Sequence, residues 1–212
     1  MRTLLFCLLS LASIALAAAD AGPAASAATA APDRPALLRA LRTGGLVVVM
    51  RHAHSPNTPP DAALAEPDNT QHERQLDDAG RETATAMGAA LRRLRVPVGQ
   101  VYASPTFRAL QTVRLAKLPA PQTPAQLGDS GQSMQGDASG SRGAWLRTLA
   151  AQAPKARTNT WIVTHFPNIT EAWPEDAKGV ADGEALVLRP DGHGGTSVLA
   201  RVRIEDWAGL DR

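Results

Sequence analysis

The apolar run Leu46-Val47-Val48-Val49-Met50 follows Gly44-Gly45 and is rich in β-branched residues, the pattern of a strand buried on both faces. Val98 to Ala103 and Trp161 to Thr164 read as two further core strands. Glu184 to Arg189 and Ser197 to Ile204 alternate apolar and polar positions around the turn-rich Pro190-Asp191-Gly192-His193-Gly194-Gly195, which predicts a hairpin at one edge of the sheet. Asp77 and Asp78 open a helix in which Ala79, Thr83, Ala86, Met87, Ala90, Leu91 and Leu94 recur at three- and four-residue steps, running to Arg95 before Pro97 and Gly99 end it. Ser104-Pro105 predicts a second helix opening, with Ser as cap and Pro at the first helical position, and the helix runs to about Lys117. Pro119 to Gly143 predicts mostly loop and Ala144 to Ala153 another helix. Strands that alternate with helices and finish in a hairpin imply a three-layer α/β/α sandwich, its sheet mostly parallel with an antiparallel edge.

The amino end departs from this pattern. Met1-Arg2-Thr3 and the apolar stretch Leu4 to Ala19, closing on small residues, have the layout of a secretory signal peptide over 1–19, with cleavage after Ala17 or Ala19. The stretch is shorter than the ~20 residues a membrane span needs, so no stable membrane insertion is expected after cleavage. Residues 20–35 are almost entirely Ala, Pro, Ser, Thr and Gly and read as a linker, leaving 36–212 as one folded domain. Such a protein would be periplasmic or secreted. Cys7, the only cysteine, lies inside the signal segment and follows Phe6, where a lipoprotein signal has a small residue. The mature chain then has neither a disulfide nor a thiol nucleophile. Charge is near balance, 22 basic against 20 acidic residues, and no basic cluster interleaved with aromatics points to nucleic acid.

Within the domain, two of the three core strands end in histidine: His52 after the first and His165 after the Trp161 strand. Carboxyl ends of parallel strands share one side of a sheet, where open α/β proteins bind ligands, so the two imidazoles can converge across more than a hundred residues. Arg51 precedes His52, and Arg108 falls in the first turn of the helix that starts at the same edge. Two guanidiniums there offer fork-like donors suited to a tetrahedral oxyanion. The polar loop Asp61 to Gln75 and the insert Pro119 to Gly143 are expected to frame the mouth, and their aromatic-poor character suits a small hydrophilic ligand. His54, His72 and His193 lie in polar segments and are expected at the surface, and no His/Asp cluster has metal-ligand spacing.

Together these residues resemble the histidine phosphatase superfamily, which includes the cofactor-dependent phosphoglycerate mutases. Arg51-His52-Ala53 resembles its Arg-His-Gly signature, with Ala in place of the more common Gly. Ser104 to Thr112 is similar to its Ser-x-x-x-Arg-Ala-x-x-Thr motif, Thr164-His165 to its late histidine, and Leu76 to Arg81 to its Leu-x-x-x-Gly-x segment. The likeness runs from about Leu46 to Leu188 with every piece in order. Thr164 to Thr170 followed by Gly183 to Leu188 looks most like exported bacterial members related to lipopolysaccharide core heptose phosphatases.

The resemblance implies a phosphoglycerate mutase-like fold and a phosphomonoesterase without metal or other cofactor, in which His52 becomes a transient phosphohistidine. Arg51, Arg108 and His165 would hold the phosphoryl oxygens, and Ser55 stands where the family often has a phosphate-binding hydroxyl. The proton donor to the leaving oxygen is less determined. Glu184, at the start of a strand that must be antiparallel to reach the site, is the preferred candidate, with Asp129 and Asp137 in the insert left open. The expected partner is a small phosphorylated substrate of the phosphosugar kind. The alternatives are a phosphate- or phosphosugar-binding protein of the same fold with little turnover, and a mutase or phosphotransferase.

Overall fold

The computed structural model describes residues 33–129 and 141–212. The expected signal segment, most of the expected linker and Asp137 lie outside the described residues. The first helix, α1 (Arg34–Thr43), runs across the boundary expected at 35/36 between linker and domain. Asp33 caps it by accepting a hydrogen bond from the Ala36 backbone N–H at 2.7 Å, and Leu37, Leu38 and Leu41 bury its inner face.

Five strands form one sheet: β1 (Val47–Arg51), β2 (Val98–Ala103), β3 (Asn159–Thr164), β4 (Ala185–Pro190) and β5 (Thr196–Val202), in the order β2-β3-β1-β4-β5. The strands β2, β3 and β1 are parallel, β4 runs antiparallel to β1, and β5 closes the edge as the second half of the expected hairpin. Side chains of β1 alternate between two cores. Val48 and Met50 pack with α1, α2 (Asp78–Arg93) and α3 (Phe107–Leu115), while Val47 and Val49 pack with α4 (Ser141–Ala150) and α5 (Phe166–Ala172). Helices on both faces explain why β1 and β3 read as unbroken apolar runs. Trp161 seals the first core, packing on Trp207 at 5.2 Å between ring centroids.

Helix α2 buries Met87, Ala90, Leu91 and Leu94 of its expected apolar face, but its first half buries Gly80 and Ala84 and leaves Ala79 and Ala86 exposed. Asp77 caps it, accepting from the Gly80 N–H at 2.9 Å. A side chain at Gly80 would run into the His54 carbonyl, so glycine here lets α2 pass directly beneath the loop that follows β1. The opening of α3 differs from expectation. Thr106, not Ser104, is its N-cap, and the helix ends at Leu115 because Lys117 turns to positive φ. Ser104 is fully buried, and its hydroxyl is engaged elsewhere. Helix α5 was not anticipated, since Phe166-Pro167-Asn168 carries no amphipathic repeat. It is only seven residues long and starts directly after His165, which occupies the N-cap position without a side-chain capping bond. Among the described residues, no helix is long and apolar enough to cross a membrane.

Candidate active site

The register of the sheet sets the site. Arg51 pairs with Thr164 across β1 and β3, so the two strands end level, and the His52 N–H donates to the Thr164 carbonyl at 3.0 Å. One row over, the Ser104 N–H donates to the Val163 carbonyl at 2.9 Å, which brings the end of β2 to the same line. The two imidazoles meet edge to face with centroids 5.3 Å apart. Thr112, one turn after Arg108 in α3, donates to the Arg108 carbonyl and accepts the Ala53 N–H at 3.1 Å. Gln111 accepts the Leu76 N–H at 2.7 Å. Helix α3 therefore fixes both the turn after His52 and the approach to α2.

Hydrogen bonds define the state of both histidines. His52 Nδ1 lies 2.7 Å from the Ala53 carbonyl, which only a protonated nitrogen can satisfy, while Nε2 accepts from Arg108 Nε at 3.2 Å. The lone pair is thus on Nε2. His165 has the opposite arrangement: Arg108 Nη2 donates to Nδ1 at 3.2 Å, and Nε2–H donates to Ser104 Oγ at 2.8 Å. Burial is the main reason both rings stay neutral. It pushes His52 down to about 3, with the charges of Arg108, Arg51 and Arg74 adding to the shift against the Ala53 hydrogen bond. Burial, then Arg108, likewise takes His165 well below its ordinary value.

Around these rings lies a layer of arginines and carboxylates. Arg108 is completely buried and bonds Asp129 Oδ2 through Nη2 at 2.6 Å. Arg51 is held by Asp182 at 2.7 Å and stands over the Phe166 ring at 5.6 Å. Arg74, which the sequence did not single out, joins them from the 61–75 loop. Its Nε and Nη2 donate to the carbonyls of Pro56 and Ser55 at 2.6 and 3.0 Å, and its charge reaches His52, His165 and Arg108. Arg108 Nη1 and Arg51 Nε are buried N–H groups with no acceptor among the described residues. An unpaired buried donor on a cation costs about 1–3 kcal/mol or more, so these two mark where an anion with several oxygens would bind.

Residues 47–129 match the family model of the histidine phosphatase superfamily (branch 1). The protein histidine phosphatase SixA complexed with tungstate is similar in structure, with a TM-score of 0.56 and 18% identity over 76% of this chain and 98% of that one. A mutant phosphoserine phosphatase from Entamoeba histolytica in complex with phosphoserine gives 0.51 and 10% identity, over 76% of this chain and 98% of that one. No curated protein sequence matches the chain. At these identities the likeness is one of architecture. The fold is that of the histidine phosphatases.

Two residues expected in a histidine phosphatase site are committed elsewhere. Glu184 does precede an antiparallel strand at the carboxyl edge, but both its oxygens bond Arg201 at 2.8 Å and one also accepts the Ala181 N–H at 2.8 Å. Against the opposing effect of burial, the Arg201 and Ala181 bonds hold its carboxyl below the usual range, so it is held ionised as a strut between the start of β4 and β5. Ser55 is buried with its hydroxyl directed at the Gln75 carbonyl at 2.9 Å, which ties down the loop instead of facing a phosphate. Glu184→Gln is accordingly expected to leave the dependence of rate on leaving group unchanged while lowering stability by about 1.5–3 kcal/mol. Urea unfolding and turnover of the same sample check both halves.

Proposed function

We propose that the protein is an exported phosphomonoesterase that hydrolyses a small hydrophilic phosphate ester, of the phosphosugar class, through a phosphohistidine on His52. The observation that carries this reading is the neutral His52 with its lone pair on Nε2, set between two guanidiniums that each retain a buried donor without an acceptor. In the first step Nε2 attacks phosphorus, the Nε2–P bond forms, and the ester P–O bond breaks. Arg51 and Arg108 hold the equatorial oxygens, where charge is spread in the transition state, while His165, expected to join them, has its Nε2–H on Ser104 and supports the Arg108 guanidinium through Nδ1. In the second step water attacks phosphorus, the Nε2–P bond breaks, and inorganic phosphate departs.

The proton for the leaving oxygen is assigned to Asp129, since Glu184 is tied to Arg201. A phosphoryl dianion takes over the Arg108 donors that hold Asp129, which frees that carboxyl to face the leaving oxygen. Asp129 gives that proton to the departing alkoxide and recovers one from the attacking water. General acid catalysis of this kind contributes about 10²–10⁴-fold.

Export rests on the layout of residues 1–19, and amino-terminal sequencing of protein recovered from the periplasm should find chain ends after Ala17 or Ala19. The phosphosugar class rests on the polar segments around the site and on the resemblance of Thr164 to Thr170 and Gly183 to Leu188 to exported heptose phosphatases. The deciding experiment is hydrolysis of p-nitrophenyl phosphate by the purified protein, with vanadate as a competitive inhibitor, followed by a screen of phosphosugars that includes lipopolysaccharide core heptose phosphate. Tight vanadate binding without any turnover would establish a phosphate-binding protein instead.

A further inference from the structure

The segment that delivers Asp129 to Arg108 is itself held from below by a buried polar clamp. Asn168, on α5 one turn after His165, is 1% exposed. Its Nδ2 donates to the carbonyls of Leu127 and Gly128, both at 3.1 Å, and to Thr164 Oγ1 at 2.9 Å. Thr164, the last residue of β3 and fully buried, donates its hydroxyl to the same Leu127 carbonyl at 2.9 Å. The two residues thus grip the last two peptide carbonyls before Asp129. Leu127, with no exposed surface, anchors the segment in the second core from the other side.

The clamp and the phosphate site share their scaffold. Thr164 and Asn168 flank His165 in sequence, and the Ile169 N–H bonds the His165 carbonyl at 3.2 Å, so β3 and α5 carry both His165 and the clamp. A buried amide costs free energy unless its N–H groups are paired, and here the two are shared among Thr164 Oγ1 and the carbonyls of Leu127 and Gly128, the two residues directly before one carboxylate. An apolar pair would fill the same space without fixing that backbone.

We infer that Asn168, together with Thr164, is a positioning residue that fixes the Leu127-Gly128 backbone and thereby sets the Asp129 carboxylate against Arg108 and the leaving group. This rests on the phosphatase reading and on Asp129 as its acid. Loss of the clamp leaves His52 and the arginines in place but lets Asp129 drift, so it slows only reactions that need the proton.

The test compares an alkyl phosphate, whose alkoxide needs protonation, with 2,4-dinitrophenyl phosphate, whose leaving group does not. Asn168→Ala is expected to lower kcat on the alkyl ester about tenfold or more, part of the range that acid catalysis spans, while activity on the dinitrophenyl ester and vanadate affinity stay within about twofold. In an Asp129→Asn background the same substitution should cost nothing further on the alkyl ester. Thr164→Val, nearly the same shape, should show the pattern more weakly and serves if Asn168→Ala does not fold. Equal slowing of both esters, or a loss that persists undiminished beside Asp129→Asn, overturns the inference while leaving the phosphatase standing. Absence of turnover of either ester by the parent protein overturns both.

Discussion

His52→Ala is expected to lower phosphatase turnover on the order of 10⁴-fold or more, the scale on which an enzyme loses its nucleophile. The reason is specific to this site. Nε2 of His52 is the nitrogen whose lone pair faces the guanidinium of Arg108, because Nδ1–H is spent on the Ala53 carbonyl. His165 does not offer the same atom: its Nδ1 accepts from Arg108 and its Nε2–H is directed at Ser104. The variant therefore loses the Nε2 lone pair, and the one on His165 Nδ1 stays engaged with Arg108. Vanadate should still bind the variant, since Arg51, Arg74 and Arg108 remain. Rapid quench of the parent protein with labelled substrate should trap a phosphoenzyme that is acid-labile and base-stable, as a phosphoramidate must be, and the variant should show none. A variant that keeps its turnover would place the nucleophile elsewhere.

The convergence of His52 and His165 was legible in the sequence because both follow apolar runs that read as buried strands, and parallel strands bring their carboxyl ends to one side of a sheet. The structure adds that β1 and β3 are immediate neighbours in level register, which no periodicity reveals. Arg108 was legible by its place after the Ser104 strand end, although the helix begins at Phe107 and Ser104 serves His165 instead of capping it. The requirement for glycine at position 80 became physical once α2 was seen to pass under the His54 carbonyl.

What sequence pattern could not supply was the direction of long polar side chains from irregular segments. Arg74 leaves a loop with no periodic signal and is aimed inward by two backbone carbonyls, its type and its place in a loop expected to border the site being the only hints. Asp182, two residues before Glu184, faces Arg51, whereas Glu184 turns to Arg201 on the neighbouring strand. A two-residue offset at a strand entrance decided which carboxylate meets the site and which braces the hairpin.

The same burial that readies His52 should make the fold sensitive to mild acid. In the unfolded chain both histidines titrate near their ordinary value of 6.5, whereas in the folded protein His52 is pushed down to about 3 and His165 well below 6.5. Below pH 6.5 the unfolded state therefore binds more protons than the native state. Stability is fully present above that pH and falls as the pH drops toward the folded values. Each histidine in this window contributes a slope of about 1.4 kcal/mol per pH unit, so His52 alone should remove about 2–3 kcal/mol between pH 7 and pH 4.5. Carboxylates act lower on the scale. Glu184, depressed from 4.5 by Arg201, contributes stability that is lost only as the pH falls below that value. Urea unfolding at pH 7, 6, 5 and 4.5 separates the two groups. The expected result is a steep decline already between pH 6 and 5, reduced by His52→Asn and nearly removed when His165→Asn is added. A decline that begins only below pH 4.5, or one that the double variant retains, would assign acid sensitivity to the carboxylates and contradict the neutral state of the two rings on which the chemistry depends.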